Sequence, residues 1–278
     1  MVPSIVGSRP IGLPPASQQH REEGSPRPST MIVLPRIDRT FKSDEARFEL
    51  GIPELHLDAG QLIYVAGPNG SGKSLYLRTL AGDAIPGLVE SKRRRRDGWP
   101  GTIFLKQEPD SNLAQTLTAW ENLSLWRKPT SLFEWLFPFR FAMNETWTAA
   151  FPSLRDTWER NIDTLSGGQK QALALLSRSL GRGTLFLLDE ITASVDASAA
   201  PLLLEFLKEE VIKSGRHALI AGHNIPEMQR YADRVLVLSS GTLFKDIRAP
   251  ENGRISAETL TSVLYEAWRD HLEQPTPL

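Results

Sequence analysis

The sequence contains no cysteine among its 278 residues, and this absence removes several classes of chemistry. A chain without thiols forms no disulfide framework, holds no zinc through cysteine and has no thiol nucleophile. Long apolar runs are also missing, because no stretch reaches the roughly 18 consecutive apolar residues of a membrane span. The N-terminus lacks a basic segment followed by an apolar run, so we expect no secretion signal. These absences together fit a protein of a reducing compartment.

Neither sign of charge dominates, because 32 basic and 33 acidic residues leave a formal net charge of −1. A charge balance near zero gives no reason to expect a nucleic-acid partner or an acidic one. The apolar fraction of 40% is ordinary for a globular protein and argues against a wholly disordered chain. The length predicts one or two domains with a packed core.

Residues 1–30 differ from the rest, since they hold six of the twenty prolines with serine and glycine between them. They show neither a strand period nor a helix period, so we predict a disordered extension ahead of a domain that begins at Met31. An equally simple interpretation is that Met31 is the true start and that the extension has no function.

From Met31 onward, short apolar runs alternate with helical patterns. The apolar runs that predict buried strands cover 61–66, 102–106, 184–188, 218–221 and 235–238. The helical patterns cover 73–81, 172–180, 199–214, 226–231 and 256–272. Strands that alternate with helices predict an α/β fold with a largely parallel sheet covered on both faces.

A glycine-rich segment joins the first strand to its helix and fits the phosphate-loop pattern G-x-x-x-x-G-K-[ST]. In such a loop, backbone N–H groups turn inward around phosphates and the helix start adds positive charge. A plain strand–turn–helix is the simpler alternative, but it does not explain the lysine and the serine. The predicted nucleotide-binding residues are Gly67, Pro68, Asn69, Gly70, Ser71, Gly72, Lys73, Ser74 and Leu75. We expect Lys73 to face the β- and γ-phosphates and Ser74 to be a ligand of Mg²⁺.

Two further segments carry chemistry. The apolar run 185–188 ends in Asp189 and Glu190, and a buried parallel strand places its last residues at the ligand crevice. Asp189 is therefore a candidate Mg²⁺ ligand and Glu190 a candidate base for the attacking water, unless both are only solvated acids. The run Leu165-Ser166-Gly167-Gly168-Gln169 begins a helical stripe, where open N–H groups attract an anion or merely form a helix cap.

The three motifs, in this order, resemble the ATP-binding subunit of an ABC transporter over about residues 32–245. The resemblance implies a P-loop NTPase (RecA-like) core with a mostly parallel sheet, an antiparallel β subdomain and an inserted α-helical subdomain. It divides the chain into an ABC ATPase domain over 31–248, with the helical subdomain near 108–166, and a C-terminal helical tail over 249–278. In that family two subunits enclose two ATP molecules head to tail, so Ser166, Gly167, Gly168 and Gln169 would contact ATP bound to the other copy.

The resemblance also assigns roles to single residues. Gln107 would sense Mg²⁺ and the attacking water, and His223 would contact the γ-phosphate. Asp196 is the acid of a loop that reaches across the dimer. Phe41 would stack on adenine, although an aromatic residue at this place also fills a core. The implied catalytic residues are Glu190, His223, Gln107 and Lys73, and the implied metal ligands are Ser74, Gln107 and Asp189.

The sequence departs from the family in three places. Leu75 replaces a common threonine, Ile191 replaces a common proline, and five basic residues fill the run 92–96. A solvated loop explains that run, and contact with anionic lipid headgroups is the alternative. Aromatic residues crowd the stretch between Gln107 and Leu165. We predict that part of 132–141, with Arg140 at its rim, receives a permease; the alternative is that the rings pack on the main domain.

The resulting expectation is an ATPase that powers transport through a separate permease, with ATP and Mg²⁺ as cofactors. Its partners would be a second copy or a homologous subunit, the permease and, in the case of import, an extracytoplasmic solute-binding protein, but no nucleic acid. It would lie on the cytoplasmic face of the membrane as a peripheral protein. The alternative is a soluble ABC-type ATPase of a non-transport assembly such as iron–sulfur cluster assembly. A binding module without turnover is a third possibility, which the intact Glu190 disfavours.

Overall fold

The computed structural model describes the chain over residues 31–42, 47–83, 89–90, 101–126, 149–193, 195–251 and 253–273. Three predictions lie outside these residues: the extension over 1–30, the basic run over 92–96 and the permease groove over 132–141 with Arg140.

Eleven strands are present in the described part of the chain, and five of them, β5, β7, β8, β9 and β10, match the predicted apolar runs. The strands are β1 (Ile32–Leu34), β2 (Ile37–Lys42), β3 (Arg47–Ile52), β4 (Leu55–Leu57), β5 (Leu62–Ala66), β6 (Val89–Glu90), β7 (Thr102–Leu105), β8 (Leu185–Asp189), β9 (His217–Ala221), β10 (Arg234–Ser239) and β11 (Thr242–Arg248). Every residue of β5, β8, β9 and β10 is buried, as expected of strands covered on both faces.

Nine of these strands form one sheet in the order β6-β2-β3-β11-β10-β5-β9-β8-β7. The strands from β10 to β7 pair in parallel, whereas β10 with β11, β2 with β3 and β2 with β6 pair antiparallel. Strands β1 and β4 form a separate antiparallel pair. The sheet therefore has a parallel half and a half with mostly antiparallel pairing, which β3 joins to β11 through one parallel pair, and this confirms the fold class that the resemblance implied.

The α-helices within the described residues are α1 (Lys73–Ala81), α2 (Ala119–Trp126), α3 (Gly167–Ser179), α4 (Ala200–Phe206), α5 (Ile225–Tyr231) and α6 (Ala257–Glu273). Helix α1 ends as predicted, because Gly82 adopts a left-handed conformation and its N–H bonds to the carbonyls of Arg78 and Thr79. The single helix predicted over 199–214 is α4 followed by π-helical turns over Leu207–Ile212. No helix in the described stretches has the length and apolarity needed to span a bilayer.

The described parts of 108–166 pack against the main domain. Leu123 of α2, Phe151, Leu154 and Trp158 are buried in the core cluster that also contains the apolar side of α3. Trp120 meets Trp158 edge to face at a centroid distance of 6.5 Å. The rings of Trp120, Phe151 and Trp158 therefore pack on the core around α3, the helix that carries the Ser166 motif, whereas Trp126 is 39% exposed.

Candidate functional site

The phosphate loop between β5 and α1 has a backbone that only glycine adopts easily. Gly67 has a φ of 143°, and a Cβ there would lie 2.2 Å from the carbonyl oxygen of Leu238. Gly72 has a φ of 98°, and its Cβ would lie 3.0 Å from Cζ of Phe48. The loop is thus pressed against the end of β10 and against a ring of β3, so its glycines serve close packing as well as ligand access.

Lys73 lies inside this loop with 7% of its surface exposed. Its Nζ donates to the carbonyl oxygens of Gly67 and Pro68, at 2.9 Å each. Burial lowers the pKa of Lys73, and the carboxylates of Glu190 and Asp189 oppose that shift. The ammonium group is therefore desolvated and already placed at the loop, where an anionic ligand would be its natural partner.

Ser74 and Asp189 meet across the site. The Ser74 hydroxyl donates to Oδ1 of Asp189 at 2.8 Å, and Asp189 is 2% exposed. Burial raises the pKa of Asp189, and the hydrogen bond from Ser74 opposes the shift. A hydroxyl and a carboxylate are the oxygen ligands that Mg²⁺ takes beside phosphates, and a buried carboxylate favours a cation. The donor set fits Mg²⁺, with Ser74 and Asp189 as the residues that would hold it.

Three side chains converge where neighbouring parallel strands end. Glu190 follows β8, Gln107 follows β7 and His223 follows β9, so all three lie at the carboxyl edge of the sheet. Nε2 of Gln107 donates to Oε2 of Glu190 at 3.0 Å, and Nδ1 of His223 lies 3.9 Å from Oε1 of Glu190. The structure brings these predicted residues together around one carboxylate.

The backbone of Glu190 is strained, with a φ of 46° that is uncommon outside glycine. Its N–H donates to the carbonyl of Ala221 at 3.1 Å, and its carbonyl accepts from Ala193 N at 3.0 Å. Strain of this kind persists only where the surroundings hold it, and it concentrates at functional sites. The turn after β8 therefore fixes the direction in which the Glu190 carboxylate leaves the sheet.

The Ser166 motif forms the start of α3, where Ser166 and Gln169 cap the helix with reciprocal hydrogen bonds. Ser166 Oγ accepts from Gln169 N at 3.3 Å, and Gln169 Oε1 accepts from Ser166 N at 2.9 Å. This reciprocal pair is a capping box. Nε2 of Gln169 also donates to the Ser153 carbonyl at 2.9 Å. Ser166 and Gly167 are exposed, so the helix start faces outward, with its shape held by the capping box and by the bond to Ser153.

The loop that contains Asp196 lies beside this helix start within the same chain. A Cβ on Gly168 would lie 3.7 Å from Cγ1 of Val195. The carbonyl of Asp196 accepts from Ala199 N at 2.9 Å and Ala200 N at 3.1 Å, and Asp196 is exposed. The two segments that the resemblance directs toward a second copy thus form one neighbouring surface.

Phe41 and Leu75 have core environments. Phe41 is only 2% exposed and packs in the cluster that includes Leu50 and Tyr76, so its ring faces are covered. Leu75 is partly buried against the same cluster, where a threonine would offer less apolar surface. Stacking of Phe41 on adenine stays a prediction, and it requires the ring to be uncovered when nucleotide binds.

A sequence profile of the ABC transporter family matches residues 50–193, which include the phosphate loop, the Ser166 motif and the Asp189–Glu190 pair. The chain belongs to the ABC transporter family. As a member, it is an ATP-binding and ATP-hydrolysing subunit that powers transport through a separate permease.

Relatives of known name support this placement in the family. The chain is 30% identical to an aliphatic sulfonates import ATP-binding protein of Paraburkholderia xenovorans, over 80% of this chain and 82% of that protein. It is 28% identical to a phosphonates import ATP-binding protein of Rhodopseudomonas palustris, over 85% of this chain and 90% of that one. These names do not favour the soluble, non-transport alternative.

Solved structures agree on the fold. A dimeric ATP-binding cassette in a post-hydrolysis state with ADP and Pi has a TM-score of 0.56 at 23% identity, over 78% of this chain and 98% of that one. A nucleotide-free cassette from an ABC transporter has a TM-score of 0.57 at 21% identity, over 86% of this chain and 99% of that one. At these identities the likeness concerns the fold alone.

Sequence reasoning missed a partly buried carboxylate beside this site, that of Glu227. Glu227 of α5 accepts from Oγ1 of Thr192 at 3.1 Å, and the hydroxyl of Tyr64 lies 3.5 Å from the same oxygen. Burial raises the pKa of Glu227. Asn224 caps α5 by accepting from Glu227 N at 3.2 Å. The acid thus ties the helix after His223 to the turn after Glu190, and the cap-like spacing of Asn224 and Glu227 was the available signal.

Proposed function

We propose that this chain hydrolyses ATP with Glu190 as the base for the attacking water. The observation that carries the proposal is the meeting of Gln107 and His223 at the carboxylate of Glu190, on a strained turn beside the Asp189–Ser74 pair. Catalysis by such a site consists of positioning and charge neutralisation, without a covalent intermediate on the protein.

Each side chain has a distinct part in this proposal. Lys73 and the N–H groups of the phosphate loop bind and orient the β- and γ-phosphates. Ser74 and Asp189, with Gln107 beside them, would hold Mg²⁺, which neutralises phosphate charge when bound. Glu190 accepts the proton of water, Gln107 orients the carboxylate, and His223 lies where it can contact the γ-phosphate.

A complete site requires a second subunit. The outward-facing Ser166 motif and the exposed Asp196 support a head-to-tail pair, in which each chain adds its helix start to the ATP on the other. The positive end of α3 is suited to the γ-phosphate. The second subunit is a copy of this chain or a homologous ATPase subunit.

We further propose that the transporter is an importer and that this subunit is peripheral on the cytoplasmic face of the membrane. Support for import comes from the relatives, which are named import ATP-binding proteins. Their named cargoes differ, since one is for phosphonates, one for aliphatic sulfonates and one for tyrosine. We therefore propose import for this chain but no particular cargo.

Affinity purification from fractionated cells tests this placement. A tagged chain should sediment with membranes, leave them after an alkaline wash, and bring a multi-pass protein through purification in mild detergent. An extracytoplasmic solute-binding protein that joins the complex supports import. Recovery of the whole chain without any membrane protein would overturn the permease assignment, and a permease complex that exports its cargo would overturn the direction.

A further inference from the structure

The C-terminal helix α6 reaches the phosphate loop. Leu260, Val263 and Ala267 are buried on one side of α6, and the carbonyl of Ala267 accepts from the Ser239 hydroxyl at 3.2 Å. Ser239 is the last residue of β10, the strand that borders β5. The helix therefore runs to the same end of the sheet as the nucleotide site, and its last turn lies there.

His271 in that last turn faces the loop directly. Its Nε2 lies 3.6 Å, and its Cε1 3.9 Å, from the place that a Cβ on Gly70 would occupy. These are ordinary van der Waals separations, so the imidazole borders the outer edge of the phosphate loop. Gly70 is exposed on its other sides. The ring is thus a neighbour of one of the loop's most open residues.

A second connection joins His271 to the loop through the β10–β11 turn. Nδ1 of His271 lies 3.0 Å from the Ser240 hydroxyl, within hydrogen-bond distance. The next residue, Gly241, donates its N–H to the carbonyl of Ser71 at 3.0 Å. His271 therefore meets the loop at Gly70 by packing and at Ser71 by a two-step hydrogen-bonded link.

The turn in this link is strained. Ser240 has a φ of 44°, a left-handed conformation that is unfavourable for a residue other than glycine. Gly241 is left-handed as well, at 79°, and a Cβ there would lie 1.9 Å from the carbonyl oxygen of Glu49. A strained turn keeps its shape only when neighbours hold it, and the Ser240 side chain has His271 as such a neighbour.

We propose that His271 is a positioning residue for nucleotide binding, which holds the edge of the phosphate loop at Gly70 and Ser71 in its binding shape. The inference rests on the proposed function only in that this loop binds ATP. A loop that is shaped before the ligand arrives loses less freedom on binding, so its affinity is higher. Loss of His271 should therefore weaken ATP binding without slowing the chemical step.

The test is the effect of His271→Ala on ATP affinity and on turnover, measured in the full chain. We expect Kd and KM for ATP to rise about 5- to 20-fold while kcat stays within about twofold, since ground state and transition state lose the same support. Ser240→Ala should give the same pattern. The double variant should bind ATP no more weakly than either single variant, because both changes break the same hydrogen bond between His271 and Ser240.

Two further variants separate positioning from mere helix stability. His271→Asn keeps a hydrogen-bonding atom near the place of Nδ1 and should restore most of the affinity. Arg269→Ala removes an exposed side chain from the same turn, whose ion pair with Glu273 is at the surface, and should leave KM unchanged. Amide exchange in residues 67–72, measured without nucleotide, should be faster in His271→Ala than in the original chain.

The outcomes are distinct from a failure of the proposed function. If the unaltered chain binds no ATP, the proposed function fails. If it binds ATP, but His271→Ala leaves Kd, KM and exchange of the loop unchanged, the positioning role is wrong. A fall in melting temperature with an unchanged KM also overturns it, because His271 would then only hold the helix end.

Discussion

We propose that the phosphate loop and the start of α3 both bind phosphate, yet the two segments differ in what fixes their shape. At the loop, Lys73 is almost fully buried and donates to the loop carbonyl of Gly67, and Ser74 donates to the equally buried Asp189 at the end of β8. At α3, Ser166 and Gly167 are exposed and the capping box is local. The loop is shaped by tertiary contacts, whereas the start of α3 is shaped mainly by its own capping box, with one further bond from Gln169 to the Ser153 carbonyl.

This difference indicates a division of labour within the ABC subunit. In the proposed function, the phosphate loop with the buried Lys73 binds nucleotide within one chain. The self-capped helix start is ready before any ligand arrives, so a second subunit can use it without refolding. Binding should therefore depend on the loop of the same chain, and hydrolysis should depend on both segments. The following predictions test that separation.

The largest expected effect is at the carboxylate between the two segments. Glu190→Gln preserves the size of the side chain but removes the base, so kcat should fall by at least about 100-fold while ATP affinity is kept. An ATP-bound dimer should accumulate on a sizing column. Glu209→Gln, at a surface ion pair with Lys213, is the matched control and should be as active as the original chain. Near-normal turnover in Glu190→Gln would remove Glu190 from the mechanism.

Removal of the buried ammonium should act on binding itself. Lys73→Ala leaves the loop backbone but takes away its charge opposite the β- and γ-phosphates, so calorimetry should show ATP binding weakened by about 10- to 100-fold. Lys213→Ala, with an exposed ammonium, is the control. An unchanged Kd in Lys73→Ala contradicts the assignment of the phosphate loop.

A negative charge at the exposed start of α3 should leave ATP binding unchanged but slow ATP hydrolysis. Gly167→Asp puts a carboxylate at the first helical position, which suits the helix dipole but repels the γ-phosphate of the other subunit. We expect ATP binding by the single chain to be unchanged and kcat to fall about 10-fold or more. Gly167→Asn has the same shape without the charge and should lose much less.

Mixing variants sharpens the same comparison. In a head-to-tail pair, Lys73→Ala chains and Gly167→Asp chains together form one site with an intact loop and an intact helix start. A one-to-one mixture should therefore recover activity that neither variant has alone. If the mixture stays as inactive as its parts, the two segments do not come from different chains.

A structural feature could be predicted from the sequence when the residues that determine it lie in one short segment. Helix α1 and the phosphate loop carry their glycines, their lysine and their stop at Gly82 in one short segment, and both are found where the pattern put them. The edge strands β2 and β3 were not located individually, because their mixed burial depends on their mutual pairing. The sequence alone does not show that Glu190, Gln107 and His223 meet, because this depends on β8, β7 and β9 being neighbours in the sheet.

Other features had no local signal at all. His271 contacts Gly70 although the two residues are far apart in the sequence, and nothing in the sequence between them indicates this contact. The change from α4 to π-helical turns at Leu207 is equally invisible in the apolar periodicity. Phe41 shows the reverse case, because an aromatic residue at that position fits both a base-stacking role and a core role.

The smallest expected effects distinguish these two roles of Phe41. It lies opposite Phe48 on the β2–β3 pair, and Phe48 is the partly exposed ring, whose Cζ borders Gly72. If Phe41 stacks on adenine, Phe41→Leu should weaken ATP binding about 2- to 5-fold and leave tripolyphosphate binding unchanged, because tripolyphosphate has no base. Phe48→Leu should instead weaken the binding of ATP and of tripolyphosphate slightly and equally, because the Phe48 ring contacts the loop at Gly72.

Phe41→Leu should also destabilise the fold by about 1–2 kcal/mol, since it removes buried ring atoms. Loss of stability with equal effects on both ligands would make Phe41 a core residue only, and the difference between ATP and tripolyphosphate is the measurement that decides it.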